Sequence, residues 1–335
     1  MKIGPIDLDQ EVLFVAEIGN NHEGDFGLAR EMIHAAAAAG AQAVKFQTIV
    51  PARLVAAPQA ARLEQLERFA FTREQFAELA SIANAAGVMF LSTPFAPEVV
   101  PWLDELVPAF KIASGDNNFS PLLRAVGARG KPVLLSTGMA DLPAIDAACK
   151  TIEAASPDPA HPGEIVLLHC VSAYPTPPEQ ANLGAIKTLA MSGRTPGYSD
   201  HTLGVEASVL AVALGARIIE KHFTLSKTQS GFRDHALSAD PAELTALIAR
   251  ARQAVVLLGG GGKAPQAAEA ATAAAARRSI VAREPLNAGH RIGIEDLDWL
   301  RPGHGLPPGQ EDQLVGRRLR CAVGKGEAIL PGQVD

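Results

Sequence analysis

The chain has 335 residues, of which 47% are hydrophobic and 20% are charged, and its formal net charge is −6 at pH 7. This composition is typical of a folded globular protein with room for one large domain and a small one. A net negative charge argues against nucleic-acid binding, which requires a basic face. Because there is no signal-like N-terminus, no run of eighteen apolar residues and only three widely spaced cysteines, we expect a cytoplasmic protein without membrane spans or disulfides.

Short apolar runs alternate with helix-length segments over residues 1–258. The runs predict strands over residues 13–18, 43–46, 88–91, 109–112, 133–135, 165–168, 196–198 and 217–219. Segments with apolar residues at three- and four-residue spacing predict helices over residues 27–39, 73–86, 142–155, 205–214 and 241–258. Eight such units predict an α/β fold, a (β/α)8 TIM barrel. A doubly wound open sheet is the alternative, but the first strand is not followed by its usual glycine-rich turn.

The composition of the sequence changes after residue 258. Residues 259–276 are rich in glycine and alanine and predict a linker that is partly helical. Residues 277–335 predict a small β-rich domain, with strands over residues 279–282, 319–322 and 328–330.

Every predicted barrel strand ends in polar or ionisable residues. The carboxyl ends of parallel barrel strands meet at one face, where the active sites of such barrels lie. We therefore expect a site at this face. The ionisable residues concerned are Glu17, Lys45, Lys111, Asp116, His169, Asp200, His201, Glu220, Lys221 and His222.

Lysines on the second and fourth strands predict an anion site. Lys45 and Lys111 would be costly inside a barrel without an anionic partner, because an unpaired buried charge is strongly unfavourable. The alternative is structural, with either lysine capping a helix or pairing with Glu17. Hydroxyl groups at nearby strand ends complete a cradle for phosphate and carboxylate: Thr93, Ser114, Ser136 and Ser199.

Two histidines follow adjacent strands and predict a metal site. His201 and His222 can face each other across the barrel mouth, and paired imidazoles suit Mn, Fe, Co or Zn. We interpret His169 as structural, treat His22 as a candidate for the site wall, and assign Asp25 to the N-cap of the first helix.

Ordered motifs along nearly the whole chain resemble the sialic acid synthase family, which includes the legionaminic and pseudaminic acid synthases. They are AEIGNNHEGDFGLA, AVKFQT, LSTPF, FKIASGDNNFSPLLR, LLSTGMA, LLHCVSAYPTP, GYSDHTLG and EKHFTL. The tail SIVAREPLNAGHRIGIEDLDWLRPGHGLPPG resembles the antifreeze-like (SAF) domain that closes these enzymes.

The resemblance implies a TIM barrel followed by a β-clip-like SAF domain, in a domain-swapped homodimer. It implies a divalent metal, Mn2+ or else Mg2+ or Co2+, on His201 and His222. The phosphoenolpyruvate contacts it implies are Lys45, Thr93, Lys111, Ser114, Ser136 and Ser199. The sugar-side contacts are Gln47, Ser172, Tyr174, Asp234 and, from the other subunit, Arg301.

The implied reaction joins phosphoenolpyruvate to an open-chain N-acetylmannosamine-type sugar and yields a nine-carbon 2-keto acid and phosphate. The metal polarises the aldehyde, the lysines hold phosphoenolpyruvate, and Glu17 stabilises positive charge at C2. Glu17, Asp116 or His222 directs the water that adds at C2, and the sequence does not choose among them.

Three departures from the family pattern leave the acceptor sugar open. Asp116 stands where many members have Glu, Ser172 where several have Asn, and Phe232-Arg233 where relatives often have Pro or Ser. The first alternative is therefore the same chemistry on a diacetamido-dideoxyhexose. An aldose phosphate is a further one, and a non-catalytic glycan-binding relative is the weakest, because each matched ionisable position keeps a competent residue.

Overall fold

The computed structural model describes residues 1–158, 160 and 162–335. The chain divides into two compact units, Met1–Gly259 and Gly260–Asp335, which are described separately. No helix in the described part of the chain has the length and apolar character needed to cross a membrane.

Eight parallel strands form the centre of the first unit. Strand neighbours follow chain order from β3 through β2 and β1 to β8, and then back down to β4. The two ends of this order, β3 and β4, also contact each other, which closes the barrel. The predicted barrel fold is confirmed. The strands are β1 Leu13–Gly19, β2 Ala43–Thr48, β3 Met89–Pro94, β4 Phe110–Ile112, β5 Val133–Ser136, β6 Ile165–Cys170, β7 Pro196–Asp200 and β8 Ile218–His222.

Helices surround the strands, and the longer ones each bury an apolar face, as α1 does with Ala29, Met32, Ile33 and Ala36. Asp25 accepts a hydrogen bond from the backbone of Leu28, so the predicted N-cap is confirmed. The segments are α1 Phe26–Ala38, α2 Pro51–Leu54, α3 Ala60–Phe69, α4 Arg73–Ala85, α5 Val100–Leu103, α6 Ser120–Gly127, α7 Leu142–Ala154, α8 Ala185–Ala190, α9 Glu206–Ala213, α10 Asp234–Leu237 and α11 Pro241–Leu258.

The two faces of each strand pack differently. On β1, Phe14 and Ala16 belong to the core shared with the helices, whereas Leu13 and Val15 belong to a separate core formed almost entirely by strand residues. Successive side chains of a strand point to opposite faces. The second core is therefore the barrel interior, and Ile3 of a short hairpin, Lys2–Ile3 with Ile6–Asp7, packs into it.

The second unit contains a helix, α12 Ala270–Ala276, and one antiparallel strand pair, β9 Ser279–Ala282 with β10 Leu297–Leu300. The strands predicted over residues 319–322 and 328–330 were wrong, because these segments contribute only isolated bridges such as Leu319 to Val334. Leu319 and Ile329 are nevertheless buried in the core of this unit, whereas Ala322 and Leu330 are exposed. Frequent turns at Gly and Pro prevent the segments from forming longer ladders.

Candidate active site

A polar cavity of about 910 Å3 opens at the carboxyl ends of the barrel strands. Its size is sufficient for small-molecule ligands. Asp116, Ser172 and Arg301, which were also predicted for the site, are not in its lining. The predicted residues that do line it are Glu17, Lys45, Gln47, Thr93, Lys111, Ser114, Ser136, Tyr174, Ser199, His201, His222 and Asp234.

The cavity floor is the top layer of the barrel interior. On β1 the inward row runs from Leu13 through Val15 to Glu17, and on β8 it runs from Ile218 to Glu220, so that apolar side chains give way to charged ones. Each strand contributes one residue to this floor layer. Its members are Glu17, Lys45, Thr93, Lys111, Ser136, Cys170, Ser199 and Glu220.

Lys45 is held between two carboxylates. Its Nζ lies 2.8 Å from Glu17 Oε2 and 3.6 Å from Glu220 Oε2, and it donates a 3.0 Å hydrogen bond to Thr93 Oγ1. Gln47 fixes the other oxygen of Glu17 with a 3.1 Å hydrogen bond. The predicted alternative of a Lys45–Glu17 pair is thus present, and the pair itself faces the cavity.

Lys111 has weaker anionic support. Its Nζ donates to Ser136 Oγ at 2.7 Å and lies 3.8 Å from Glu220 Oε1. That carboxylate oxygen also accepts a 2.8 Å bond from Ser199. Glu220 therefore links the two lysines, and the contact of Lys111 with a carboxylate is longer than either contact of Lys45.

Burial and charge act against each other in this layer. Burial would raise the pKa of Glu220, but Lys111 and Lys45 outweigh it and lower that pKa to about 2. Burial opposes the charge on Lys45, yet Glu17 and Glu220 raise its pKa. For Lys111 burial prevails and lowers the pKa, with Glu220 offsetting it only partly. Burial also raises the pKa of Glu17 despite Lys45.

His201 and His222 face each other above the layer, with ring centroids 5.4 Å apart. His201 Nδ1 donates to the carbonyl of Val171 at 2.8 Å, which leaves its Nε2 as the nitrogen with a free lone pair. His222 Nδ1 is buried and has no hydrogen-bond partner among the described residues. Burial, followed by His201 and Lys45, lowers the pKa of His222 well below its usual range, so this imidazole is neutral.

The histidines fit a metal, although the chain supplies few ligands. Neutral imidazole is a ligand for divalent transition metals. Within residues 1–158, 160 and 162–335, no three His, Cys, Asp or Glu side chains group into a metal site. The pair alone leaves most coordination positions to water and substrate, as an open catalytic site requires.

The predicted residues outside the cavity lining have distinct positions. Asp116 is half-buried, with an Oδ2 that has no hydrogen-bond partner in the described residues, and Ser172 Oγ is in the same condition. Arg301 is an exposed residue of the second unit. The candidate His22 does not line the cavity, because it stacks on Phe71 at 4.3 Å.

Other histidine and carboxylate assignments can be compared with the structure. His169 Nε2 bonds to the carbonyl of Ala181 at 2.8 Å, consistent with its structural interpretation. Glu220 was counted among the ionisable residues at the strand ends but was given no role in the site. Its spacing of two from His222 places both on the inward face of β8, and that periodicity is the signal that could have assigned it one.

The outer wall of the cavity was not predicted. It includes Arg62, Arg68 and Phe69 of α3, a helix absent from the sequence prediction, together with Phe232 and Arg233. Phe69 and Phe232 form an edge-to-face pair with centroids 5.3 Å apart. No sequence pattern near these positions predicts that the two distant segments lie next to each other.

Comparisons with known proteins confirm the resemblance stated from the motifs. A model described as the NeuB family matches residues 32–263, and a SAF domain model matches residues 277–335. The N,N′-diacetyllegionaminic acid synthase of Legionella pneumophila is 38% identical over 347 residues, covering 98% of this chain and 96% of that protein. Its counterpart in Campylobacter jejuni is 35% identical over 323 residues, covering 92% and 96%.

A solved structure shows the same similarity. The sialic acid synthetase from Leptospira borgpetersenii is 36% identical, with a TM-score of 0.76 over 81% of this chain and 94% of that one.

The half-buried Asp116 carboxyl gives a pH-dependent stability. Burial raises its pKa from 3.8 to about 6, with Lys111 opposing the shift. The folded state therefore favours the protonated carboxyl. The stability that this protonation contributes is lost as the pH rises from 4 through 6. We expect Asp116→Asn to lose less unfolding free energy than the wild type between pH 4 and pH 7. Urea denaturation of the ligand-free protein at each pH measures this, and parallel pH curves for the two proteins would contradict it.

Proposed function

Because the chain belongs to the NeuB family, we propose that it joins phosphoenolpyruvate to an N-acetylmannosamine-type aldehyde sugar. The reaction uses a divalent metal, for which we propose Mn2+ ahead of Mg2+ or Co2+, and yields a nine-carbon 2-keto sugar acid and phosphate. One observation carries the proposal: a buried layer with two lysines lies directly below two facing histidines, in a cavity large enough for two small substrates.

Phosphoenolpyruvate matches the charge and the hydrogen-bonding capacity of the layer. Lys45 and Lys111 supply cations, and Lys111 has a lowered pKa that an incoming anion would restore. Cations and hydroxyls held by the barrel need no reorganisation when the anion binds. The hydroxyl donors are Thr93, Ser114, Ser136 and Ser199.

His201 and His222 would hold the metal, which would supply Lewis-acid polarisation of the sugar aldehyde. The remaining work belongs to the side chains. Lys45 and Lys111 orient phosphoenolpyruvate so that its C3 faces the aldehyde carbon. As the C3–aldehyde bond forms, positive charge develops at C2, and the carboxylate of Glu17 stabilises it.

Water then adds at C2, and breakage of the C2–O bond releases phosphate and leaves the ketone. Three groups are candidates for directing this water. Glu17 lies in the floor layer and His222 lies above it. Asp116 lies outside the cavity lining, but its raised pKa suits a proton carrier near neutral pH.

A second candidate acceptor is a diacetamido-dideoxyhexose. The Phe69–Phe232 pair presents an apolar surface to the outer part of the cavity, which favours methyl-bearing substituents over hydroxyls. The similar proteins from Legionella pneumophila and Campylobacter jejuni are both named for synthesis of a diacetylated sugar acid.

Phosphate release tests the proposal and separates the acceptors. The chelator-treated protein would receive phosphoenolpyruvate and Mn2+ together with N-acetylmannosamine, the 2,4-diacetamido-6-deoxymannose, the corresponding altrose sugar, or erythrose 4-phosphate. We expect release that requires both the metal and an N-acylated hexose. Release with erythrose 4-phosphate alone would contradict the amino-sugar assignment, and no release with any acceptor would contradict the reaction.

Removing both imidazoles tests the metal site. We expect His201→Ala/His222→Ala to lose metal-dependent phosphate release by at least about 10³-fold, because loss of Lewis-acid polarisation costs several kcal/mol of barrier. The thermal midpoint should stay near that of the wild type. His34→Ala, at an exposed position of α1, is the control. Retained activity in the double variant would refute the site.

We also propose a cytoplasmic, domain-swapped homodimer in which Arg301 of one subunit contacts the sugar in the other, as the family resemblance implies. His222→Ala and Arg301→Ala chains should each be inactive alone. Mixed by unfolding and refolding together, they should recover about a quarter of wild-type activity, because half of the dimers then contain one intact composite site of two. No recovery, with mixed dimers verified by mass, would contradict the swap.

A further inference from the structure

A fully buried ion pair lies behind the cavity wall. Lys221 and Asp200 are 1% and 0% exposed, and Lys221 Nζ lies 3.0 Å from Asp200 Oδ2. The two residues are direct partners in the β7–β8 ladder. Because Ser199 and Glu220 point into the cavity, their neighbours Asp200 and Lys221 point outward, away from the substrates.

The Asp200 carboxylate is saturated with donors. Its Oδ1 accepts from the backbone N–H and the hydroxyl of Thr202, both at 2.8 Å, and from Tyr198 at 3.2 Å. Its Oδ2 accepts from Ser208 of α9 at 2.6 Å and from Lys221. Every lone-pair direction of this buried carboxylate is therefore used by the protein itself.

Stability alone is a weak reason for such a pair. Replacing a buried ion pair by apolar side chains of similar volume is often neutral or stabilising, because desolvation offsets the attraction. A barrel wall at this position could be built from the valine and isoleucine that fill the neighbouring rows. The pair instead provides directional bonds, which fix geometry rather than add free energy.

The geometry that it fixes is that of the two histidines. His201 directly follows Asp200, and His222 directly follows Lys221. Thr202, on the far side of His201, is held by Asp200 through its N–H and by Lys221 through its carbonyl. The backbone of His201 is thus fixed on both sides, relative to the strand that carries His222.

We propose that Asp200 and Lys221 are positioning residues that set the separation of His201 and His222 for metal binding. This inference rests on the proposed function, in which these two histidines hold the metal. Neither residue contacts substrate. Because the pair links β7 to β8 directly beside the two histidines, the spacing of these strands fixes the spacing of the imidazoles.

Mn2+ binding to the substrate-free protein tests the inference without relying on activity. The paramagnetic resonance signal of free Mn2+ gives the dissociation constant. For Asp200→Asn and for Lys221→Met we expect this constant to rise by about 10- to 100-fold, the usual effect of removing a partner that orients metal ligands. Lys221→Arg, which keeps the cation, should restore most of the affinity.

Lys131→Met is the matched control. Lys131 also pairs with an aspartate, Asp104 at 3.0 Å, and also donates to backbone carbonyls, but it lies outside the cavity lining. It should lower the thermal midpoint without changing the Mn2+ dissociation constant. If the Asp200 or Lys221 variants fail to fold, Ser208→Ala and Thr202→Val remove single donors and should raise the constant by a smaller factor.

The outcomes separate this inference from the proposed function. If the wild type binds Mn2+ and the folded variants bind it equally well, the positioning role is overturned and the metal site stands. If the wild type binds no Mn2+, or if His201→Ala/His222→Ala binds it like the wild type, the metal assignment and the positioning role both fall.

Discussion

The site depends on one constraint: two carboxylates and two ammonium groups are buried together at the top of a barrel whose lower interior is apolar. Glu17, Lys45, Glu220 and Lys111 neutralise one another through contacts between 2.8 and 3.8 Å. None of them could be buried alone without a large desolvation cost. Because the four charges balance, the protein can fold with both lysines buried in the floor layer. An anion that binds there meets ammonium groups that were already desolvated on folding.

The parallel register of the strands places the charged floor residues and the two histidines at the same end of the barrel. Inward positions repeat every second residue, so the floor layer is followed two residues later by His201, directly after β7, and by His222, the last residue of β8. On the outward face of the same strands, Asp200 and Lys221 form a second buried pair. The charged contacts inside the barrel line the cavity, whereas the Asp200–Lys221 pair lies on the outward face of the strands that lead to the two histidines.

The barrel could be predicted from the alternation of apolar runs with helical segments, and most floor residues from the polar residues that end each strand; the period of two within a strand then decides which of them face inward. A run such as Leu13–Gly19 alternates between two apolar faces and then places Glu17 on the inner one. The same reasoning fails where tertiary contacts decide the structure. Phe69, at the end of α3, and Phe232 meet only because two segments distant in sequence fold over the same cavity. Residues 319–322 have strand-like composition but form only an isolated bridge in the second unit. Local pattern contains no information about either contact.

Calorimetric titration of metal-free protein with phosphoenolpyruvate tests the central claim, that the enclosed lysines are a preformed anion site. We predict binding without metal, and a loss of affinity of at least about 30-fold in Lys111→Met, because truncating one partner of a buried charge contact costs about 2 kcal/mol or more. Lys131→Met should bind like the wild type. Equal affinity of the Lys111→Met variant and the wild type would contradict a preformed anion site.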